Sequence, residues 1–403
     1  MADLWRWEAC DLAQAIRTRK VSSRETVTSC LDRLDQVNPR VNAVVDVLRD
    51  QAIDAAELAD AAVARSEPLG ALHGVPVTIK INVDYAGRAT TNGVVAFKDR
   101  IAESDSPPVA NWRKAGAIIF GRTNVPPFSA RFFTSNALYG ATLNPWDSTR
   151  TPGGSSGGAA AAVATGIGPL AHGNDRAGSV RYPAYACGVF GLRPTFGRIP
   201  TYEASIREEP SITTQLTHVQ GLMARSIRDV RLGYTTMGAR DPRDPWWIPA
   251  QNGPGPTAGP HRVGMFAAPA DVDVDPAVAS ALRQAAASLA GAGYVVEDAV
   301  PPRFDEVARL FFTLIRTEEK AGTTQQSSGL ATMRCGGRAL PPWPMRLNWT
   351  SRATSRRLPV APRFCASGCY SSSAISCCLC RCRGSVRFRS ISIRREMIRW
   401  RRC

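Results

Sequence analysis

One amine and two hydroxyls are placed along this chain so that acyl transfer could proceed without histidine. The amine is Lys80, at the end of HGVPVTIK; one hydroxyl lies in the run GGSSGG (Gly153–Gly158), and the other is Ser179, just after Gly178. A primary amine accepts a serine proton once burial lowers its pKa toward neutrality. A second serine relays that proton where the amine does not reach the nucleophile directly. The glycines let the backbone approach a substrate and point N–H groups at a developing oxyanion. Singly, each element has a plainer reading: GGSSGG as a flexible loop, Lys80 as a solvated strand end, Ser179 as a turn residue. Taken together, in this order and spacing, they point to chemistry.

The segments GVPVTIK (74–80), NPWDSTRTPGGSSGG (144–158) and GNDRAGSVRYPAYACGVFGLRPTFGRIP (173–200) resemble the amidase signature family, a resemblance that covers roughly residues 5–325. In that family the bridging serine stands 24 residues before the nucleophile, the separation between Ser155 and Ser179. The resemblance therefore implies Lys80 as base, Ser155, in a cis peptide, as proton relay, and Ser179 as nucleophile. It implies an oxyanion hole made of the backbone N–H groups of Arg176, Ala177, Gly178 and Ser179. It further implies a layered α/β/α fold around a large mixed sheet, a small-molecule amide as substrate, and no cofactor or metal. The expected reaction is hydrolysis through an acyl-Ser179 ester, releasing amine or ammonia and a carboxylic acid.

The pattern also departs from the family. Arg176-Ala177-Gly178 stands where members commonly carry Thr-Gly-Gly, and Ile81 where an Asp often follows the lysine. Arg176 adds charge near the pocket and Ala177 a methyl group in a crowded turn; these two are expected to shift substrate choice more than to abolish chemistry, because the hole uses backbone donors. Two other classes compete with an active amidase: an inactive truncated pseudoenzyme, and a glutamine-hydrolysing subunit of an amidotransferase complex.

Composition separates the chain into two parts. The formal charge of +16 over 403 residues would ordinarily suggest an acidic partner such as nucleic acid. From Arg334 to Cys403, however, there are 16 Arg, no Lys and one acidic residue, Glu396, so residues 1–333 are close to neutral. Cysteine divides in the same way, with 8 of the 11 beyond position 334. The CCLCRC run has no pair of CxxC motifs at a zinc-finger spacing, and no histidine follows His261. All-Arg, Cys-rich sequence without helix or strand period is what a GC-rich gene gives when translated out of frame. The expected organisation is thus an N-terminal helical layer over 1–65, an amidase core over 66–325, and an irregular, non-native tail over 326–403. Such a tail would leave the C-terminal part of the fold incomplete, and no specific nucleic-acid partner is expected.

MADLWRWEACDL has early acidic residues and no apolar signal region, and no run reaches the roughly 18 apolar residues of a membrane span. These features read as a cytoplasmic, reduced protein without a membrane partner; a homodimer is compatible with them.

The elements that must position the site follow from period and punctuation. Ser22-x-x-Glu25 is a capping box ahead of Val27, Cys30, Leu31 and Leu34, with Asn38-Pro39 expected to end that helix. Gln51–Arg65 reads as a helix, and Gly74–Ile79 as a strand that delivers Lys80. Val109–Ala115 reads as a helix and Ala117–Phe120 as a buried strand. Gly158–Thr165 reads as a helix, which puts Ser155 at its N-terminus, and Ile167–Ala171 as a strand. Farther on come a strand at Val263–Phe266, a helix capped by Asp275 with Pro276 at its first position, and a strand at Tyr294–Glu297. Alternating elements of this kind give an α/β layered fold. His172 and Cys187 read as structural residues, Asp175 and Arg181 as a brace for the Ser179 loop, and Trp246-Trp247 as a loop packed on the core.

Overall fold

In the computed structural model, residues 3–206, 210–249, 261–269, 272–326, 334–335 and 338–339 are described. They divide into two compact units, one within 1–253 and one within 254–403.

The first unit begins with helices α1 (Ala9–Arg17) and α2 (Ser23–Val41), strand β1 (Val44–Val47) and helix α3 (Arg49–Ala64). Strand β2 (Pro76–Lys80), helix α4 (Pro107–Lys114) and strand β3 (Ile118–Thr123) follow, then a small hairpin of β4 (Ser135–Asn136) and β5 (Gly140–Ala141). Helix α5 (Gly157–Thr165), strand β6 (Leu170–Asp175), helix α6 (Arg181–Cys187) and strand β7 (Phe190–Leu192) hold the glycine-rich segments. Helix α7 (Ile212–Thr217), strand β8 (Val219–Ala224) and helix α8 (Ile227–Met237) complete the unit. Among the described residues its main sheet has six strands in the order β1-β3-β2-β6-β8-β7. The central β3-β2-β6 pairs are parallel and the outer pairs antiparallel, so the sheet is mixed.

Side-chain alternation along the strands builds the layers. On β3, Ile119 enters one core while Ile118 and Phe120 enter the other, as a period of two requires. The first core takes Leu12 of α1, Val109 and Trp112 of α4, and Val230 and Met237 of α8. The opposite core takes Val27, Leu31 and Leu34 of α2, Ala52 and Ala56 of α3, and Ala161 and Ala162 of α5. Helices therefore cover both faces of the sheet, and the N-terminal helices serve both.

The capping box of α2 forms as the sequence predicts: Ser22 Oγ accepts from the Glu25 N–H while Glu25 receives the Ser22 N–H. Pro39 does not end that helix. It lies in the last turn, and the helix continues to Val41 before Asn42 turns left-handed at φ +50°. The stop comes from the Asn38 amide, whose Oδ1 accepts from the N–H groups of Ala43 and Val44 at 2.9 Å each. Two distant carboxylates, invisible to local sequence reading, cap other orphan N–H groups. Asp60 receives the N–H groups of Ser23 and Arg24 at the start of α2, and buried Asp229 receives those of Ala9 and Cys10 at the start of α1.

The second unit contains parallel strands β9 (Arg262–Met265) and β10 (Val295–Asp298), joined through helix α9 (Pro276–Gly291). Asp275 caps α9 by accepting from the Ala277 N–H at 2.8 Å, with Pro276 at its first position as the sequence predicts. Helix α10 (Phe304–Gln326) follows, and its Phe304 ring meets Phe266 edge-on at 5.3 Å. Strands β11 (Arg334–Cys335) and β12 (Arg338–Ala339) form a two-stranded antiparallel ladder. Apart from Gln326 and that ladder, the tail assigned to 326–403 lies outside the described residues.

Candidate active site

Lys80 ends β2 and is fully buried. Val77 and Ile79 fill the first core, so alternation turns Thr78 and Lys80 the other way. The Lys80 amine lies 2.7 Å from Ser155 Oγ and 2.6 Å from Asn174 Oδ1. Burial pushes its pKa down from 10.5 to about 7, against the pull of the Asp175 charge. A buried amine lowered in this way can give up and take back a proton near neutrality, which is the property general-base chemistry requires.

Ser155 sits in the tight loop that enters α5. The Gly154–Ser155 peptide is cis. Thr134 stitches the loop, donating its hydroxyl to the Gly153 carbonyl at 3.0 Å and accepting the Gly157 N–H at 3.1 Å. A Cβ at Gly154 would stand 2.6 Å from both the Arg131 carbonyl oxygen and the Phe133 amide nitrogen, a contact only glycine avoids. The neighbouring Ser156 hydroxyl donates instead to the Asn174 carbonyl at 3.4 Å, so of the two serines Ser155 is the one on the amine.

Ser179 is half-buried in the turn between β6 and α6. Its carbonyl accepts the Ser156 N–H at 3.2 Å, which joins the two serine loops one residue past Ser155. Gly178 holds φ +115°, a region that disfavours any side chain. The turn is organised by Asp175, which is fully buried. Its carboxylate accepts the N–H groups of Gly178 at 2.8 Å, Val180 at 3.0 Å and Arg181 at 3.3 Å. It also takes two guanidinium bonds from Arg181, at 2.9 and 3.1 Å, and lies 3.6 Å from Arg193. Burial pulls its pKa up, but Arg181 and the backbone donors together hold it below the usual carboxylate range. The expected Asp175–Arg181 brace is therefore present, and it reaches farther than an ion pair. Of the expected oxyanion donors, the Gly178 N–H points at Asp175, while those of Arg176, Ala177 and Ser179 lie in the same turn.

Removing the Asp175 charge leaves its backbone donors and Arg181 without their anion. Asp175→Asn is expected to cost about 3–5 kcal/mol of stability, as breaking buried ion pairs does, and to disorder the Ser179 turn. Urea unfolding measures the first effect; an unchanged midpoint would show that the carboxylate does not hold the turn.

His172 has the structural role read for it. Its Nδ1 accepts the Lys80 backbone N–H at 3.3 Å, so the proton sits on Nε2, which faces Gln220 Oε1 at 2.9 Å. Burial pushes it down to about 3, so it remains neutral. Cys187 is buried with its thiol pushed up to about 12 by burial, a small apolar group rather than a nucleophile. Trp246 and Trp247 pack their loop, donating to Gln215 Oε1 and to the Gly238 carbonyl. Sequence reading missed Asn174, Asn82 and Thr134; short polar residues in loops and strand ends carry no periodic signal.

A family model described as Amidase matches residues 25–352. The chain is 52% identical over 316 residues to the indoleacetamide hydrolase of Bradyrhizobium diazoefficiens, covering 78% of this chain and 60% of that protein. It is 35% identical to a glutamyl-tRNA(Gln) amidotransferase subunit of Acidothermus cellulolyticus, over 79% of this chain and 63% of that one. Among solved structures, a 6-aminohexanoate cyclic dimer hydrolase complexed with substrate superposes with a TM-score of 0.66 at 33% identity, covering 75% of this chain and 62% of that one. The chain belongs to the amidase family, with the mixed α/β fold of the amidase signature enzymes. It spans half to about six-tenths of the length of the first curated relatives it matches.

Proposed function

We propose that this chain hydrolyses a carboxylic amide through an acyl-Ser179 intermediate, with Lys80 as base and Ser155 as relay. The observation that carries the reading is the buried Lys80 amine 2.7 Å from Ser155 Oγ, in a loop bonded to the Ser179 backbone. Ser179 passes its proton to Ser155 Oγ as Ser155 passes its own to the Lys80 amine, and Ser179 Oγ bonds to the amide carbon. The backbone N–H groups of Arg176, Ala177 and Ser179 receive the oxyanion, while Gly178 anchors the turn on Asp175. Collapse breaks the C–N bond, and the proton held on Lys80 returns through Ser155 to the leaving nitrogen. Water then attacks the ester, gives its proton to the same relay, and releases the carboxylic acid with Ser179 restored.

The substrate proposed is a primary amide whose acyl part carries a flat apolar group. Similarity to an indoleacetamide hydrolase supports this choice. So do the rings of Phe132, Tyr182 and Tyr185, which cluster beside the two serine loops with centroids 6.1 and 6.5 Å apart. The test is ammonia release from indole-3-acetamide and from glutamine by the chain alone. Release from indole-3-acetamide is expected. Release only from glutamine, and only with added partner proteins, would favour membership of an amidotransferase complex, a reading that the similarity to the Acidothermus cellulolyticus protein keeps in view.

A further inference from the structure

We propose that Asn174, held by Asn82, is a positioning residue that turns the lone pair of the Lys80 amine toward Ser155. The proposal rests on the amidase reading above in taking Lys80 as the base. A neutral amine has two N–H donors and one lone pair, and only the lone pair can take the relay proton. Rotation about the last C–N bond of the side chain would let either kind of site face Ser155. Asn174 Oδ1, 2.6 Å from the amine, claims an N–H and so excludes the rotation that would turn the lone pair to Asn174, leaving it free to face Ser155.

Asn174 is itself fixed. Its Nδ2 donates to Asn82 Oδ1 at 3.1 Å while Asn82 Nδ2 approaches Asn174 Oδ1 at 3.3 Å, a reciprocal amide pair that holds the Asn174 amide in place beside the lysine. Asn82 also donates to Ser129 Oγ at 3.1 Å, and that hydroxyl donates to Asn92 Oδ1 at 2.9 Å. The chain of amides thus runs from the loop after β2 and the turn around Ser129 to the amine. When Lys80 takes the proton, Asn174 still accepts one N–H, so the ammonium is held in the same place for return of the proton.

The titratable groups facing Lys80 are Asp175 and His172 on β6 and His218 ahead of β8. Burial pushes His172 to about 3 and His218 to about 4, and Asp175 stays ionised, so none of them changes charge where Lys80 does.

The test is direct titration of Lys80 by carbon NMR on the full chain labelled at lysine Cε; with only five lysines, Lys20, Lys80, Lys98, Lys114 and Lys320, the Lys80 signal is identified by its loss in Lys80→Met. Asn174→Asp places an anion on the amine and is expected to raise its proton affinity tenfold or more. Asn174→Ala removes the acceptor for the ammonium and is expected to lower it. Asn82→Ala, in which Asn174 remains but loses its partner, should move it in the same direction as Asn174→Ala and by less. Loosening of the site would admit water and shift every variant upward, so opposite signs for Asp and Ala separate positioning from damage. No shift in any variant, or upward shifts in all, overturns the proposal. Sulfonylation of Ser179 by phenylmethanesulfonyl fluoride is followed in parallel. Expected lysine shifts without Ser179 labelling would retain the positioning and discard the amidase reading; labelling without the shifts would do the reverse.

Discussion

Ser179→Ala is expected to lower amide hydrolysis by at least about 10⁴-fold while leaving the unfolding midpoint unchanged. Without the Ser179 hydroxyl there is no atom to form the acyl bond, and the remaining relay has nothing to deprotonate except water. The exchange is mild for the fold, because the serine is only half-buried and the turn is held through backbone groups and Asp175. Rates on the preferred amide and urea unfolding of both proteins check the two halves. Near-native activity in the variant would remove Ser179 from the mechanism, and lost stability would show that its hydroxyl supports the turn.

Lys80→Met is expected to cost about 10²–10⁴ in rate, the range for loss of a general base. It should also reveal what the buried amine does to stability. In the folded protein the pKa is about 7, against 10.5 for a free lysine. Between these values the unfolded chain binds the proton more readily than the folded one, so stability rises with pH across that window. Below about 7 both states are charged and the full cost of the buried ammonium is present; above 10.5 both are neutral and the cost is gone. Relative to Lys80→Met, the native chain should therefore gain stability from pH 7 to 10.5, on the order of a few kcal/mol. Urea midpoints for both proteins at several pH values give the difference directly. A difference that stays flat with pH would mean that the amine is hydrated rather than buried. The acid limb of the rate profile should fall near the same value of about 7.

Much of the site is legible in the sequence because its key residues lie in contiguous segments. Lys80 follows an apolar strand, and Ser155 and Ser179 are set by glycines whose backbone demands exclude most alternatives. The Asp175–Arg181 brace is readable because both partners flank the same turn. Asn174 is not, since its role depends on β6 lying beside β2, a pairing that forms across more than 90 residues of chain. The same reasoning explains the error at Pro39. Local rules make proline a helix stop, whereas here a proline in the last turn is tolerated and the Asn38 side chain supplies the stop. Strand β6, expected at Ile167–Ala171, runs Leu170–Asp175. Its polar end reads as loop until Asn174 and Asp175 are seen buried and bonded from neighbouring elements.

Covalent labelling tests the central claim most directly. The full chain is treated with phenylmethanesulfonyl fluoride between pH 6 and 9, and the modified peptide is located by mass spectrometry. The account predicts a single adduct on Ser179, formed faster as pH rises through about 7 and abolished by Ser179→Ala. An adduct on Ser155 or Ser156, or none at any pH, would contradict it.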